Sequence, residues 1–417
     1  MLASFSTALS GLEADSGAID VVGNDLANLN TTGYKANEIE FSELIGQQLS
    51  GSSGGQVGLG VSPVSAFASY TQGTLDNTGA PTDAAIQGGG FFIVKGQNNQ
   101  TDYTRDGSFQ ISPNGFLATA AGDPVQGWSA IGGTVNPNGP IGNISVPLGT
   151  TVPASATTSM NMDLNLNSQV ATTDPGAVFS VPIQVFDSQG TGHNLTATFT
   201  KTGSNAWSYA VTIPAADLSA GGATTVASGN MTFGANGMLT SPTQAQDPQL
   251  VKITNFADGA SDMTINWNLF DPTTGNSTIT QMADASGAGS TTQNGYAAGQ
   301  ISNVSLQNGG LLVANYSNGQ TSTIGQLAVA SIANPDTLNV AGNNYLQASV
   351  STATPSVGTA GSGARGQIIA GALESSTVDI AQEFTGLLTF ERSYQANSRV
   401  ITVSDQLMQD TVGLIQG

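Results

Sequence analysis

Apolar side chains recur at every seventh position along the C-terminal end of the chain, and this period constrains the fold more than any other feature. The positions are Ile380, Leu387, Tyr394, Ile401, Met408 and Ile415. A sustained seven-residue period places one apolar stripe along a helix that packs against another helix. No proline interrupts residues 377–415, so the helix would extend roughly 58 Å. Ser376 and Asp379 form a capping-box pattern that predicts its start.

The N-terminal end carries a second stripe with the same period. Its positions are Phe5, Leu12, Ile19 and Leu26, with Leu9 between them. Gly11, Gly17 and Gly23 each cost about 1 kcal/mol relative to alanine, so we expect this helix to form only with a partner. The pattern leaves two interpretations open. One is an intramolecular coiled coil, and the other is a pair of helices that become ordered against copies of themselves in neighbouring subunits.

The charge balance of the 417-residue chain excludes several classes of partner. Acidic residues number 28 and basic residues 8, for a formal net charge of -20. Nucleic acids and anionic membranes need Lys and Arg to neutralise their phosphates, so we expect no nucleic-acid binding. We also expect no membrane insertion, because no apolar run approaches the length of about 18 residues that a spanning helix needs. No cleavable signal peptide is visible, so an exported chain would need a route that leaves its N-terminus uncut.

The segment between the two stripes has a β character. Glycine accounts for 53 residues and charged residues for 9% of the chain, which favours strands and turns. Alternation over 160–167 and 262–269 is typical of half-buried strands in an antiparallel sandwich or barrel. We therefore predict a mainly β fold with a terminal α-helical coiled coil and nested, discontinuous domains. The predicted domains are 1–30 with 374–417 (helical inner core), 31–70 with 354–373 (linker with an extended hairpin), 71–146 with 297–353 (first antiparallel β domain) and 147–296 (inserted outer antiparallel β domain).

Nothing in the sequence predicts an active site. Cysteine is absent and His193 is the only histidine, in a segment that reads as a turn, so neither a metal cluster nor a histidine-based catalytic set is predicted. Residues 361–366 match G-x-G-x-x-G but follow a Ser/Thr/Pro-rich loop instead of a strand. Residues 163–167 begin like a calcium loop, but Ser168 and Asp174 stand where glycine and glutamate are required. We predict a non-enzyme without catalytic, cofactor or metal residues.

Several motifs resemble those of the flagellar rod and hook family. Residues 25–35 resemble its N-terminal signature, residues 371–379 and 391–398 its C-terminal one, and residues 85–92 the start of its first β domain. Residues 316–319 resemble the hook branch of the family. The residues that carry the resemblance are Asn28, Thr31, Thr32, Gly33, Tyr34, Gly88, Gly90, Phe91, Phe92, Arg392, Tyr394 and Asn397. Glu391 and Thr377 are mild departures from the family pattern.

The resemblance implies a structural subunit of a bacterial flagellar tube. Rod members are usually shorter, so length favours the hook branch: an extracellular, flexible, curved tube that transmits torque from rod to filament. Both termini would form the inner tube, with the β domains outward. The implied assembly core is Phe5, Leu9, Leu12, Ile19, Leu26, Ile380, Leu387, Tyr394, Ile401, Met408 and Ile415.

The resemblance also implies partners. These are copies of the same chain, the distal rod protein, the hook cap protein, the hook–filament junction protein, the hook-length ruler and the flagellar type III export gate. Phe41 and Ile45 are similar to the Phe-x-x-x-apolar motif that the gate recognises. The alternative for these two residues is an ordinary apolar helix face within the amphipathic segment 38–49.

Two other functions remain open on the sequence. The first is a distal rod subunit with an outer insertion, which would make a stiff tube. The second is a secreted glycan-binding or adhesive β protein whose helices only oligomerise it. A concave aromatic cluster of Trp207, Tyr209 and Trp267 would favour the second, although the alternating pattern predicts that Trp267 lies in a core.

Overall fold

A computed structural model describes residues 3–44, 47–48, 56–96 and 99–416, and its chain divides into two compact units. Unit 1 comprises Met1–Leu148, Asn303–Asn315 and Thr321–Gly417, and unit 2 comprises Gly149–Ser302 and Tyr316–Gln320. The element order is mainly β with one helix at each end, as predicted for the fold class. The finer division into four domains stays a prediction. No helix in the described ranges is both long and apolar enough to cross a membrane.

Two helices bracket unit 1, namely α1 (Ala3–Ala27) and α2 (Ile380–Gln416). The start of α2 is set by Asp379, whose Oδ1 accepts hydrogen bonds from the N–H groups of Ala381 and Gln382 at 2.8 and 3.2 Å. The predicted capping box was therefore wrong. Ser376 instead accepts from the N–H of Val378 within the extended segment before the helix. An aspartate at the N-cap satisfies two otherwise free N–H groups and so terminates that segment.

The strands of unit 1 are short and pair in antiparallel ladders. One six-stranded sheet has the order Asn339–Gly342, Tyr345–Gln347, Thr101–Thr104, Phe91–Lys95, Val329–Ser331, Ser356–Gly358. A second ladder has the order Gly142–Asn143, Gln126–Ser129, Thr321–Leu327, Leu311–Tyr316. Two-stranded ladders join Asn37–Glu40 to Ser65–Ala68, Gln47–Gln48 to Gln56–Val57, Leu75–Asn77 to Ala372–Glu374, Ala84–Gln87 to Gln367–Ala370, and Gln110–Ile111 to Leu117–Ala118.

The first part of the amphipathic segment predicted at 38–49 is a strand, because Asn37–Glu40 pairs with Ser65–Ala68 across four residue pairs. Alternate residues of that strand are half-buried and exposed, which is the period of a sheet and not of a helix. Residues 45, 46 and 49 lie outside the described residues.

Unit 2 packs two five-stranded sheets over one apolar core. The first is antiparallel, in the order Val178–Phe186, Gly192–Gly203, Ala206–Thr212, Thr225–Phe233, Leu239–Ser241. The second has the order Gln249–Ile253, Met263–Asn268, Ser159–Asn167, Ile279–Met282, with Gly287–Gln293 also paired to Ser159–Asn167. The remaining elements are the strand Thr151–Val152, which pairs with the first residues of Gly299–Gln307, and short 3-10 turns at Pro175–Ala177, Ala215–Asp217, Gln244–Gln246 and, in unit 1, Pro335–Thr337.

One detail of unit 2 differs from the predicted antiparallel sandwich. Ser159–Asn167 runs parallel to both Met263–Asn268 and Ile279–Met282. The alternation of apolar and polar residues is the same in parallel and antiparallel strands, so the sequence pattern could not distinguish the two.

Candidate assembly surface

The two helices pack against each other along a seam, and most of the buried residues described in α1 are small. The buried residues of α1 are Ala8, Ala14, Asp15, Ala18, Val22 and Asp25. The helices run antiparallel, because a Cβ at Gly11 would lie 2.7 Å from Nδ2 of Asn397, whereas Val22 lies beside Gly386. Asn397 donates to Oδ2 of Asp15 at 2.9 Å across the seam. Sequence reasoning missed this seam, although the seven-residue spacing of Ala8, Asp15 and Val22 was a signal that could have found it.

The predicted assembly residues border this seam and do not fill it. Phe5, Leu12, Ile19 and Leu26 are half-buried, and so are Leu387 and Ile401 of α2. Leu9, Ile380, Tyr394 and Met408 are exposed, and the side chain of Ile415 lies outside the described residues. Within one chain these residues are only half-buried or exposed, so they remain accessible to another molecule. Their role in assembly stays a prediction.

Further apolar side chains on α2 are exposed along almost its whole length. They are Phe384, Leu388, Val400, Val403, Leu407 and Val412. Ile19 and Tyr394 line a shallow groove of about 410 Å³ together with Ser16, Glu391 and Gln395. Large apolar patches on a monomer commonly mark interaction surfaces, so this side of α2 is a candidate contact with another molecule.

The end of α2 extends past its partner helix. Among the α2 residues whose burial the structure describes, Ser404 is the last buried one, and every residue from 405 to 413 is exposed. The helix has 37 residues against 25 in α1, a difference of 12 residues or roughly 18 Å of helix. An amphipathic helix end that the described residues leave uncovered is a candidate contact surface for another molecule.

A buried charge cluster fixes the joint where the helices meet the strands. Glu374 accepts from Nζ of Lys35 at 2.6 Å and from Nη1 of Arg105 at 3.1 Å, and all three side chains are almost completely buried. Burial lowers the pKa of Lys35 and of Arg105, while the charge of Glu374 acts in the opposite direction on both. The N–H of Gly73 also donates to Glu374 at 2.9 Å. Sequence reasoning missed this cluster, because no local pattern relates residues so far apart in the chain.

A second polar cluster explains the N-terminal family motif. Asp25 is fully buried and accepts from the hydroxyl of Tyr34 at 2.7 Å and from the N–H of Asn37 at 2.7 Å. Burial, followed by the hydrogen bond and charge of Asp25, raises the pKa of Tyr34 above its usual value. The hydroxyl of Thr31 donates to Oδ1 of Asn28 at 3.0 Å. These bonds hold the end of α1 against the extended chain that follows.

Two of the motif glycines lie at close approaches with left-handed backbone. Gly33 has φ of 68°, and a Cβ there would lie 2.6 Å from the carbonyl carbon of Arg105. Gly90 has φ of 116°, and a Cβ there would lie 2.7 Å from Cγ1 of Val329. Arg105 also donates from Nη2 to the carbonyl of Gly88 at 2.8 Å. Both glycines are therefore required by packing as well as by backbone conformation.

The remaining motif residues fall in several places. The carbonyl of Thr32 accepts from Asn344 at 2.7 Å. Phe91 and Phe92 are buried core residues of the strand Phe91–Lys95, and Arg392 is exposed on α2. The ring centroid of Phe41 lies 5.8 Å from that of Phe390 on α2. Ile45, its partner in the candidate export motif, lies outside the described residues, so that motif stays a prediction.

The aromatic residues considered for glycan binding are core residues of unit 2. Trp207 and Trp267 are completely buried, and Tyr209 stands with its ring centroid 5.2 Å from that of Trp267. They do not form a concave exposed cluster, so the observation that would favour an adhesive protein is missing from the described residues. His193 is the second residue of a strand, not a turn residue, and both its ring nitrogens lie 3.2 Å from carboxylates, of Asp187 and Asp217.

Four family models match the chain and together cover most of it. "Flagella basal body rod protein" matches residues 5–35 and "Flagellar hook protein FlgE/F/G D1 domain" matches residues 85–170. "Flagellar basal body protein FlaE D2 domain" matches residues 165–296, and "Flagellar basal body rod FlgEFG protein C-terminal" matches residues 369–414. The two terminal matches cover most of α1 and most of α2, which carry the candidate assembly surface.

Curated relatives match the chain over almost its whole length. The flagellar hook protein FlgE of Escherichia coli (strain K12) is 32% identical over 421 residues, which cover 98% of this chain and 99% of that protein. The flagellar hook protein FlgE of Salmonella typhimurium (strain LT2) is 33% identical over 427 residues, covering 99% and 100%. The crystal structure of Helicobacter pylori flagellar hook protein FlgE2 gives a TM-score of 0.46 at 12% identity, over 65% of this chain and 93% of that chain; this likeness is too distant to support an argument.

Proposed function

The chain belongs to the flagellar hook protein family, and we infer that it is a structural subunit of the bacterial flagellar hook. Its subunits polymerise into a flexible, curved tube that transmits torque from rod to filament. Identity of about a third over the full length of hook relatives supports this assignment. The match of residues 165–296 to a second outer-domain model supports the hook branch over a shorter rod protein.

The assembly core of this tube is the apolar surface of α1 and α2. The single observation that carries the proposal is the exposed apolar length of α2, which the described residues of the chain leave uncovered. Packing copies of the helix pair side by side would bury Leu388, Val400 and Val403, at about 1.5–3 kcal/mol for each fully buried side chain. The seam of small residues keeps each pair thin, so that copies can approach closely.

The subunit is expected to meet other flagellar proteins at its ends and during export. The family membership supports contacts with the distal rod protein, the hook cap protein, the hook–filament junction protein, the hook-length ruler and the type III export gate. Phe41 contacts α2 in the folded subunit, so its recognition by the gate would precede folding of the terminal helices.

Truncation of the overhanging end tests the assembly proposal. A chain lacking residues 405–417 should remain folded, because residues 405–413 make up exposed surface, but it should not polymerise. Negative-stain electron microscopy after addition of a precipitating salt measures whether each chain polymerises. The salt promotes assembly because it screens the net charge of -20 and strengthens apolar burial. Curved tubes from the full chain and monomers from the truncated one are expected.

Two other outcomes would contradict the proposal. Tubes formed by the truncated chain would show that the end of α2 is not part of the assembly core. Straight, rigid tubes formed by the full chain would favour a rod subunit over a hook subunit. Near-identical denaturant unfolding of the two monomers is the control that separates lost assembly from lost folding.

A further inference from the structure

A polar cavity of about 290 Å³ lies in unit 1, and none of its lining residues belongs to α1 or α2. It is lined by side chains rich in oxygen, namely Gln100, Asp102, Asp123, Asn343, Tyr345 and Gln347. The strands Thr101–Thr104 and Tyr345–Gln347, which pair in one sheet, contribute half of them. Neither the hook assignment nor the family motifs use this cavity.

Asp102 is the unusual member of this group. Its side chain is only 4% exposed, and its Oδ1 has no hydrogen-bond partner among the residues that the structure describes. An unpaired carboxylate that is removed from water is strongly unfavourable unless an opposite charge compensates it. Gly96 makes room for it, since a Cβ at Gly96 would overlap with Oδ2 of Asp102. The backbone therefore accommodates a carboxylate that the described chain leaves uncompensated.

The nearby basic side chains are engaged elsewhere. Lys95 donates to the carbonyl of Asn99 at 3.0 Å and to the hydroxyl of Thr101 at 3.2 Å. Arg105 is paired with Glu374. Neither side chain donates to Oδ1 of Asp102, and the whole chain has only 8 basic residues, so a small cation from solution could supply the compensating charge.

We propose that this cavity binds a calcium ion, with the carboxylates of Asp102 and Asp123 as its charged ligands. The amide oxygens of Gln100, Asn343 and Gln347 complete a set made only of oxygen donors. Calcium takes six to eight such donors in irregular geometry, whereas magnesium demands a near-ideal octahedron and gives up its water reluctantly. A mixture of carboxylates and neutral amides on several loops and strands suits calcium.

Calcium titration of the full-length monomer at low ionic strength tests the site. Calorimetry should show saturable binding of one ion, with a Kd on the order of 10⁻⁴ to 10⁻³ M, as in other extracellular calcium modules. Asp102→Asn and Asp123→Asn should each weaken binding at least tenfold. Asp20→Asn, which removes the same charge from an exposed position on α1, should bind as the unmodified chain does.

Thermal unfolding supplies a readout that a merely structural aspartate would not give. Saturating calcium should raise the Tm of the unmodified chain by about 5 °C and leave that of Asp102→Asn unchanged. In chelator, Asp102→Asn should unfold at the same temperature as the unmodified chain or higher, because the substitution removes an uncompensated buried charge.

Three results would overturn the proposal. Equal binding by Asp102→Asn and Asp20→Asn would mean that calcium only joins the counterions of an acidic chain. A lower Tm of Asp102→Asn in chelator would mean that the carboxylate is already satisfied. Polymerisation could also be unaffected by calcium yet lost in Asp102→Asn. That result would mean that Asp102 pairs with a basic side chain of a second copy and not with calcium. The first two results leave the proposed hook function untouched, because they concern only calcium binding and the stability of the monomer.

Discussion

At the scale of single residues, the joint between helices and strands depends on a few positions that allow little change. Gly33 lies against the backbone of Arg105, and the side chain of Arg105 reaches Glu374. Glu374 in turn binds Lys35, the last residue of the N-terminal motif at 25–35. One buried carboxylate therefore connects the start and the end of the chain with the first β region.

Gly33→Ala should destabilise unit 1 by more than its backbone conformation alone explains. A matched control is Gly79→Ala, because Gly79 has almost the same φ, 67° against 68°, but open space around its Cβ position. Gly79→Ala should lower the free energy of unfolding by about 1–2 kcal/mol, because alanine is disfavoured in left-handed backbone. Gly33→Ala should lower it by clearly more. Equal losses in denaturant unfolding would show that the contact with Arg105 relaxes freely.

Glu374→Gln should lower the free energy of unfolding by about 3–5 kcal/mol, because it leaves two buried cations without a counter-charge. Glu13→Gln is the control, since Glu13 is exposed on α1 and its neutralisation should change stability by no more than about 0.5 kcal/mol. Urea denaturation of the monomers measures both. A loss for Glu374→Gln as small as that for Glu13→Gln would show that solvent compensates Lys35 and Arg105.

At the scale of elements, the two helices divide their apolar residues between two tasks. The small residues of α1 close the intramolecular seam, and the larger side chains stay at its borders. This division follows from size: alanine and glycine let helix axes approach, so that bulkier residues project to either side of the contact. The longer α2 then has surface left for other subunits.

Leu388→Gln tests this division within α2. Leu388 is 54% exposed, so the substitution should change monomer stability by no more than about 0.5 kcal/mol. It should raise the critical concentration for polymerisation by about tenfold or more, which corresponds to about 1.4 kcal/mol per subunit contact. Sedimentation of polymer against monomer measures this. Gln382→Ala, also on an exposed position of α2, should polymerise normally; an effect equal to that of Leu388→Gln would point to a general loss of helix structure.

At the scale of the whole molecule, each unit has its own core. The core of unit 2 is built around Trp207, Trp267 and Phe199, and a separate core in unit 1 is built around Phe91, Tyr103 and Trp128. The candidate assembly surface belongs entirely to unit 1. Folding of unit 2 and the proposed assembly through α1 and α2 therefore depend on different residues.

Replacing residues 149–302 with a short Gly/Ser linker should leave polymerisation intact. The strand Thr151–Val152 pairs with Gly299 and Gln300, so the ends of the excised segment lie close enough to be bridged. Electron microscopy of salt-induced polymers should show thinner tubes, with the full chain as control. If the shortened chain instead stays monomeric with normal helix content, unit 2 contributes contacts that assembly requires.

The sequence by itself determined the broad architecture and the family. The seven-residue periods required two terminal helices, and the alternating strands required a β region between them, because these patterns are local and follow from side-chain direction alone. The sequence also determined that Trp267 lies in a core, since it occupies an apolar position of a strictly alternating strand.

Only the tertiary structure decided which residues meet. The small-residue seam of α1, the triad of Lys35, Glu374 and Arg105, and the parallel pairing of Ser159–Asn167 all depend on partners distant in sequence. The same holds for Asp102, whose isolation from hydrogen-bond partners is a property of the packed strands around it. Local patterns fix the direction of a side chain, whereas its partner and burial depend on how the whole chain closes around it.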